Sequence, residues 1–213
     1  VDKAEFVDID IRYCSACGHA FNSYFQENWI SQIYEKQPQT NSYFLSSTNN
    51  KIEKILNEIS KENYENKVVL EVGGGSGFFS NLLAKYAKKV YLFEPNSNLY
   101  ENDFKSNIIL INDYFNPSKV GIPVDLVIMS HVFEHIFNPK LFLSSLKGIL
   151  SRDAIIYCEV PNSKYIYENI ATQDFILPHI HYFCIESLEE IFSTIDFHQE
   201  KTLSFSEGHD IGL

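Results

Sequence analysis

A glycine-rich turn between a short strand and a helix constrains this sequence more than any other feature. Residues 68–70 are Val-Val-Leu, an apolar run typical of a strand that is buried on both faces. Residues 71–77 read Glu-Val-Gly-Gly-Gly-Ser-Gly, and apolar residues then recur at helical spacing as far as residue 86. Strand, glycine turn and helix in this order form the opening unit of a nucleotide-binding α/β domain.

The spacing of the glycines and the charge that precedes them limit the ligand. No Lys-Ser or Lys-Thr pair of a phosphate-binding loop follows, and Gly73, Gly75 and Gly77 are spaced G-x-G-x-G, not G-x-G-x-x-G as in a dinucleotide site. A carboxylate at Glu71 would repel a pyrophosphate and attract an ammonium group. S-adenosylmethionine fits, because it joins an adenosine half to a cationic amino-acid half without phosphate. A glycine-rich turn without any ligand is the simpler alternative.

The Glu-x-Gly-x-Gly-x-Gly pattern of residues 71–77 resembles the first motif of the class I S-adenosylmethionine-dependent methyltransferases. This resemblance implies a Rossmann-like, mostly parallel α/β sheet with helices on both faces, and a product S-adenosylhomocysteine. It also implies that Glu94, which ends the next predicted strand at residues 90–93, accepts hydrogen bonds from the ribose hydroxyls.

Two further strand ends match cofactor-binding positions of the same family. Asp113 and Tyr114 follow a predicted strand at residues 108–111, and by resemblance they bind the adenine amino group and pack on the adenine ring. Ser130 ends the predicted strand at residues 123–130, where the family's strand meets both cofactor and substrate. An ordinary Asn-Asp turn is the alternative for the first pair.

Four histidines are candidates for the chemistry of methyl transfer, in which a base helps when the acceptor must lose a proton. As acid–base residues we rank His131 first, then His181 and His135. His181 and His179 alternate along an extended segment, so their side chains are expected on opposite sides.

His131, Glu134 and His135 are spaced i, i+3, i+4, which places them on one side of a helical turn. Such a triplet could bind a divalent metal. It looks like the E-x-x-E-H metal motif of ubiquinone-pathway O-methyltransferases and small-RNA 2′-O-methyltransferases, with His131 replacing the first glutamate. The alternative is that Glu134 and His135 hold the loop through hydrogen bonds to the backbone.

Near the N-terminus, Cys14-x-x-Cys17-Gly is half of a zinc knuckle, with His19 as a candidate third ligand. Some small methyltransferases of sugar and surface-polymer pathways resemble this arrangement and carry two such pairs, the second of which would lie upstream of Val1. We therefore expect a structural zinc ion at Cys14 and Cys17, against the alternatives of a redox pair or two buried small residues.

The sequence divides into three predicted parts: a knuckle-like segment at residues 1–25, a helical cap at 26–66 and a Rossmann-like methyltransferase domain at 67–213. In the cap, Ser47 or Thr48 is the expected N-cap of a helix, and Tyr34 and Tyr43 either face substrate or pack the cap onto the core. Residues 197–205 are the predicted sixth strand. A seventh is not evident, so we expect the last strand to be missing and both ends to be truncated.

Composition restricts the partners. The 213 residues carry a net charge of −11, which disfavours a broad nucleic-acid groove, and no apolar stretch reaches membrane-spanning length. Four cysteines, two of them isolated, suit the reducing cytoplasm.

The sequence thus predicts a methyltransferase of a small molecule such as a sugar, nucleotide-sugar or other cell-surface metabolite. The alternatives are an RNA 2′-O-methyltransferase, a non-catalytic module that binds cofactor or a partner, and a nicotinamide-dependent oxidoreductase.

Overall fold

The computed structural model of this chain describes residues 9–26, 29, 45–95, 104–176 and 178–213, and of residues 45–49 the backbone alone. Its strands are β1 (Ile11–Tyr13), β2 (Ala20–Asn22), β3 (Val68–Val72), β4 (Lys89–Phe93), β5 (Ile108–Ile111), β6 (Val124–Ser130), β7 (Leu150–Pro161), β8 (His181–Tyr182), β9 (Leu203–Phe205) and β10 (Asp210–Gly212). Its α-helices are α1 (Leu45–Ile59), α2 (Phe78–Leu83), α3 (Pro139–Lys147), α4 (Ser163–Glu168) and α5 (Ile185–Ser193).

Seven of these strands form one sheet in the order β5-β4-β3-β6-β7-β10-β9. The first five are parallel to one another, and β10 runs antiparallel to both β7 and β9. Since parallel strands end at the same edge, the carboxyl ends of β3, β4, β5, β6 and β7 lie together. The expected Rossmann-like α/β sheet is confirmed.

Helices cover both faces of the sheet because successive residues of a buried strand point to opposite sides. Val68, Leu70 and Val72 of β3 pack in the cluster that contains α3 and α5. Val69 packs in the other cluster, with α1 and α2. The Ile52, Ile55, Leu56 and Ile59 side chains of α1 recur at helical spacing and belong to that second cluster.

The start of α1 differs from expectation. The helix begins at Leu45, so Ser47 and Thr48 lie within its first turn instead of capping it. Tyr34 and Tyr43 lie outside the described residues.

The expectation of a missing last strand was wrong. β9 begins only at Leu203, and β10 is present between β7 and β9. A three-residue strand, Asp-Ile-Gly, has one large apolar side chain and therefore no run that the sequence pattern could reveal.

A second, three-stranded sheet has the order β1-β2-β8. Through it, the predicted N-terminal segment pairs with a strand from the predicted methyltransferase domain: Ala20 is opposite Tyr182, and Phe21 is opposite His181. The division of the chain at residues 25 and 66 stays a prediction. Among the helices that the structure describes, none has the length and apolar character needed to span a bilayer.

Candidate active site

The glycine turn joins β3 to α2 at the carboxyl edge of the sheet. Gly73, Gly75 and Gly77 have φ angles of 67°, 56° and 70°, in the left-handed region that favours glycine. A Cβ atom on Gly73 would lie 2.5 Å from Cγ2 of Val132, so the turn packs closely against the segment that follows β6. The turn therefore requires glycine both for its backbone conformation and for this contact.

Two buried carboxylates hold the turn. Glu71 accepts hydrogen bonds from the backbone N–H of Ser80, at 2.9 Å, and from the Ser80 hydroxyl. Burial raises the pKa of Glu71 to about 7, against the opposing effect of the Ser80 hydrogen bonds. Glu94, at the end of β4, accepts a hydrogen bond of 2.7 Å from the N–H of Gly75. The roles of both acids in cofactor binding stay predictions.

The other predicted cofactor residues lie at neighbouring strand ends. Asp113 and Tyr114 follow β5, and 42% of Tyr114 is exposed. The Asp113 carboxylate lies 2.6 Å from Nζ of Lys119, and this hydrogen bond lowers the pKa of Asp113. Ser130, at the end of β6, donates a hydrogen bond of 3.1 Å to Oε2 of Glu159. The predicted cofactor residues thus occupy one edge of the sheet, on either side of the glycine turn.

A charged cluster lies beside the turn and is formed by Lys51, His131, Glu159 and Asp210. His131 Nε2 lies 3.2 Å from Oε1 of Glu159 and 3.9 Å from Oδ1 of Asp210. Lys51 Nζ pairs with Glu159 and lies 3.1 Å from Oδ2 of Asp210. Four elements contribute: α1, the end of β6, β7 and β10. Two cations thereby face two buried anions at this edge.

The charges of the cluster change the pKa of His131. Burial lowers this pKa, but the carboxylates of Glu134 and Glu159, which lie 3.6 and 3.2 Å from the two ring nitrogens, outweigh that effect and raise it to about 10. His131 also has a φ angle of 55°, which is unusual for a residue other than glycine. In this arrangement the imidazole carries a proton near neutral pH.

A second group, here called the histidine–glutamate cluster, consists of Glu134, His135 and His179. The predicted triplet of residues 131, 134 and 135 lies together, because Oε1 of Glu134 is 3.6 Å from Nδ1 of His131 and 3.7 Å from Nε2 of His135, and metal binding by this triplet stays a prediction. His135 does bind the backbone, as the alternative interpretation expected, with Nδ1 2.7 Å from the carbonyl oxygen of Pro178. The Glu134 side chain receives no hydrogen bond within the described part of the chain.

His181 lies in different surroundings. Its Nδ1 is 3.1 Å from Nε2 of His19, and burial lowers the pKa of each ring to about 4. The expected alternation is observed, because His179 belongs to the histidine–glutamate cluster and His181 to the contact with His19. His131 and His135 thus both lie beside Glu134, whereas His181 has separate surroundings, and the roles of all three histidines stay predictions.

Cys14 and Cys17 lie in the turn between β1 and β2, where Cys14 N–H donates to His19 O at 2.8 Å. Both are partly exposed free thiols. Among residues 9–26, 29, 45–95, 104–176 and 178–213, the groups with metal-ligand geometry contain neither cysteine. His19 faces His181, and zinc at the pair stays a prediction.

Three site residues were missed by sequence reasoning: Lys51, Glu159 and Asp210. Glu159 had a signal, because a glutamate inside the apolar run of β7 is out of place unless it is paired. Lys51 and Asp210 had none, since they approach Glu159 only through the packing of α1 and β10.

Comparison with known proteins gives a consistent result. Residues 44–201 match the family model described as "Methyltransferase domain". No curated protein sequence matches the chain.

Solved structures share the fold. An S-adenosylmethionine-dependent methyltransferase from Aquifex aeolicus aligns with a TM-score of 0.59 and 18% identity, over 88% of this chain and 96% of that one. Magnesium protoporphyrin IX methyltransferase from Synechocystis, solved with bound S-adenosylhomocysteine, aligns with a TM-score of 0.60 and 14% identity, over 87% and 90%. A Haloferax volcanii methyltransferase in complex with the activator Trm112 aligns with a TM-score of 0.57 and 14% identity, over 80% of this chain and 81% of that one.

The sheet order and the glycine turn at its carboxyl edge define a class I methyltransferase that uses S-adenosylmethionine. The family match covers well over half of the sequence. This chain belongs to the Methyltransferase domain family.

Proposed function

We propose that this enzyme methylates a small polar molecule, a sugar, nucleotide-sugar or other cell-surface metabolite, at a hydroxyl or amine group. The observation that carries the proposal is the charged cluster, which lies next to the glycine turn through the contact between Val132 and Gly73. Carboxylates accept hydrogen bonds from hydroxyl and amine groups, and cations donate to their oxygens. An acceptor with several polar groups would find partners of both kinds there.

The cofactor is proposed to bind across the same edge. The glycine turn receives the amino-acid half, Glu94 the ribose hydroxyls, and Asp113 with Tyr114 the adenine. Ser130 lies between this site and the charged cluster. The hydrogen bond from Gly75 to Glu94 supports this assignment, because it fixes the acid against the turn.

Methyl transfer needs an in-line approach of the acceptor atom to the methyl carbon. The new bond to that carbon forms as the carbon–sulfur bond breaks, and the sulfonium becomes a neutral thioether. A hydroxyl or amine then releases a proton. We assign its uptake to the Glu159 carboxylate, whose Oε1 lies 3.2 Å from Nε2 of His131, and the role of His131, which already carries a proton, is to donate a hydrogen bond to that carboxylate. His181 and His135 remain the other candidates for the acid–base role.

The first experiment tests the cofactor site by calorimetric titration with S-adenosylhomocysteine and, separately, with NAD. We expect the former alone to bind. Glu94→Gln should weaken binding by about 1–3 kcal/mol, the range for losing the partner of a buried polar group. Glu62→Gln, an exposed acid, is the matched control and should bind like the wild type. Binding of NAD alone would overturn the assignment.

The second experiment tests the acceptor. The enzyme is incubated with S-adenosylmethionine and each member of a set of sugars and nucleotide-sugars, and release of S-adenosylhomocysteine is measured. We expect turnover with such an acceptor and a large loss in Glu159→Gln at unchanged cofactor affinity. Turnover with RNA alone would favour the 2′-O-methyltransferase, and cofactor binding without turnover on any acceptor would favour a binding module.

A further inference from the structure

The turn that joins β9 to β10 has an unusual backbone. Ser206, Glu207 and Gly208 have φ angles of 52°, 59° and 99°, and only the last of them is a glycine. Such conformations are strained for other residues and persist only where the surrounding structure holds them. Asn162, just after β7, donates from its N–H to the carbonyl oxygen of His209 at 2.7 Å and from its side-chain amide to that of Gly208 at 3.0 Å. The turn therefore holds His209 in a fixed position.

The His209 ring lies between two carboxylates. Its Nδ1 is 2.7 Å from Oδ1 of Asp210, and its Nε2 is 3.1 Å from Oδ1 of Asp174, in the turn that follows α4. An ionised carboxylate only accepts hydrogen bonds, so a ring that binds both must carry hydrogen on both nitrogens, as an imidazolium. Partial burial lowers the pKa of His209, but the hydrogen bonds to Asp210 and Asp174 outweigh that effect and raise it. Tyr165 of α4 also faces the ring, with ring centroids 5.4 Å apart.

The ring orients Asp210 within the charged cluster. Oδ1 of Asp210 binds His209, and it lies 3.9 Å from Nε2 of His131. Oδ2 accepts hydrogen bonds from the Ser206 hydroxyl at 3.0 Å and from Nζ of Lys51 at 3.1 Å. His209 and Ser206 thus bind both carboxylate oxygens from the turn itself, and these are the oxygens that face the two cations of the cluster.

The same ring binds Asp174. Within the described part of the chain, Oδ2 of Asp174 receives no hydrogen bond, so His209 is the donor that this largely buried carboxylate has there. Charges alternate from Asp174 into the cluster, through His209 and Asp210 to the cations Lys51 and His131. Loss of the proton from His209 would leave one of its two carboxylates without a donor, because a neutral imidazole has a single N–H.

We propose that His209 is a positioning residue for methyl transfer, which as an imidazolium holds the Asp210 carboxylate in the charged cluster. This role rests on the proposed function, because the position of Asp210 matters to the reaction only where the charged cluster binds the acceptor. The charge of the ring and its two contacts depend on no acceptor, so they can be tested on the protein alone.

The first test is an NMR titration of the imidazole nitrogens in the ¹⁵N-labelled full chain without cofactor, with the His209 signals assigned by their loss in His209→Gln. We expect hydrogen on both nitrogens until the pH rises above the ordinary histidine pKa of 6.5. The pKa of His209 should fall in Asp174→Asn, which removes one of its two anions. Glu207→Gln removes an exposed acid of the same turn and, as the matched control, should leave the pKa of His209 at the wild-type value. A pKa at or below 6.5, or one that is equal in Asp174→Asn and the wild type, would overturn the proposal.

The second test is the pH profile of kcat/KM, measured with an acceptor that gives turnover in the wild type. His209→Phe removes both donors and should lower kcat/KM about 10–100-fold at unchanged affinity for S-adenosylhomocysteine, because a displacement of about 1 Å can cost about 100-fold. His209→Arg keeps two donors and a positive charge at every pH. It should therefore restore activity relative to His209→Phe and remove the decline that the wild type shows as pH rises through the pKa of His209.

The outcomes separate the two proposals. Activity of His209→Phe equal to that of the wild type, or an unchanged alkaline decline in His209→Arg, would show that His209 does not position Asp210 for the reaction. Absence of turnover by the wild type with every acceptor would contradict the proposed function, and the positioning role with it. A failed NMR titration would contradict the inference about His209 alone.

Discussion

Glu71 was expected to attract the ammonium group of the ligand, and its surroundings add a structural role. Its carboxylate is buried below the turn and binds Ser80 in the first turn of α2. The sequence identified the residue, because an acid before three alternating glycines is a specific pattern. The hydrogen bond to Ser80 was not predictable, since it depends on how the turn orients the helix.

The raised pKa of Glu71 makes stability depend on pH. The folded pKa of about 7 exceeds the ordinary value of 4.5, so the folded state binds this proton more tightly. The stabilisation of the folded state by protonated Glu71 is fully present below about pH 4.5 and is lost as pH rises to about 7. Relative to the wild type, Glu71→Gln should therefore gain about 3 kcal/mol between these limits, because one pKa unit corresponds to about 1.4 kcal/mol. Urea unfolding without cofactor, at several pH values, measures this.

Glu62→Gln, at an exposed acid, is the control and should follow the wild type across the same pH range. A difference between Glu71→Gln and the wild type that does not vary with pH would contradict the raised pKa.

At the scale of elements, the sequence predicted long, regular segments and missed short ones. The predicted strand at residues 108–111 agrees with β5. The Asn138 side chain caps α3 by accepting a hydrogen bond from the N–H of Leu141, and Pro139 is the first residue of the helix. The sequence pattern did not predict β10, because the position of this strand depends on its pairing with Val160 and Ser204 and not on its own residues. Such pairing is a property of the folded sheet.

Gly212 tests how tightly β10 is packed. A Cβ atom there would lie 2.9 Å from the ring of Tyr157, closer than real contacts allow. Gly212→Ala should therefore lower the free energy of unfolding by about 1–3 kcal/mol, the range for overpacking. Gly148→Ala is the matched control, because its Cβ would meet no atom closer than 3.5 Å and its φ angle is −63°. It should be neutral or stabilising by up to about 1 kcal/mol. Urea denaturation of both variants measures the difference in stability. Equal stability of Gly212→Ala and Gly148→Ala would contradict the close contact between residue 212 and Tyr157.

At the scale of the molecule, Lys51 connects α1 to β7 and β10. Its ammonium pairs with Glu159 and Asp210 across 108 and 159 residues of sequence (159 − 51 and 210 − 51). No local pattern marks such a connection. The architecture could be predicted because one motif specifies the fold, whereas the charged cluster could not, because it is assembled from four distant elements.

Lys51→Met should lower the free energy of unfolding by about 1–3 kcal/mol, because it leaves two buried carboxylates with only one of their two cations. Lys201→Met is the control: it breaks a pair with Glu58 in which both side chains are about half exposed, and it should change stability by less than about 1 kcal/mol.

Combining Lys51→Met with Glu159→Gln tests the coupling. The double variant should lose less than the sum of the single variants, since the two changes remove the same interaction. Additive losses in urea unfolding would show that Lys51 and Glu159 act independently.

The place of β10 between β7 and β9 has a consequence for how the enzyme becomes competent. β9 and β10 are joined by residues 206–209, so they form a local hairpin, whereas pairing with β7 closes a loop of about 50 residues and is slower. Asp210 then arrives beside His131 only when the finished hairpin docks. Until that step His131 faces Glu159 but lacks the Asp210 carboxylate, so we expect the charged cluster to be completed later than the glycine turn.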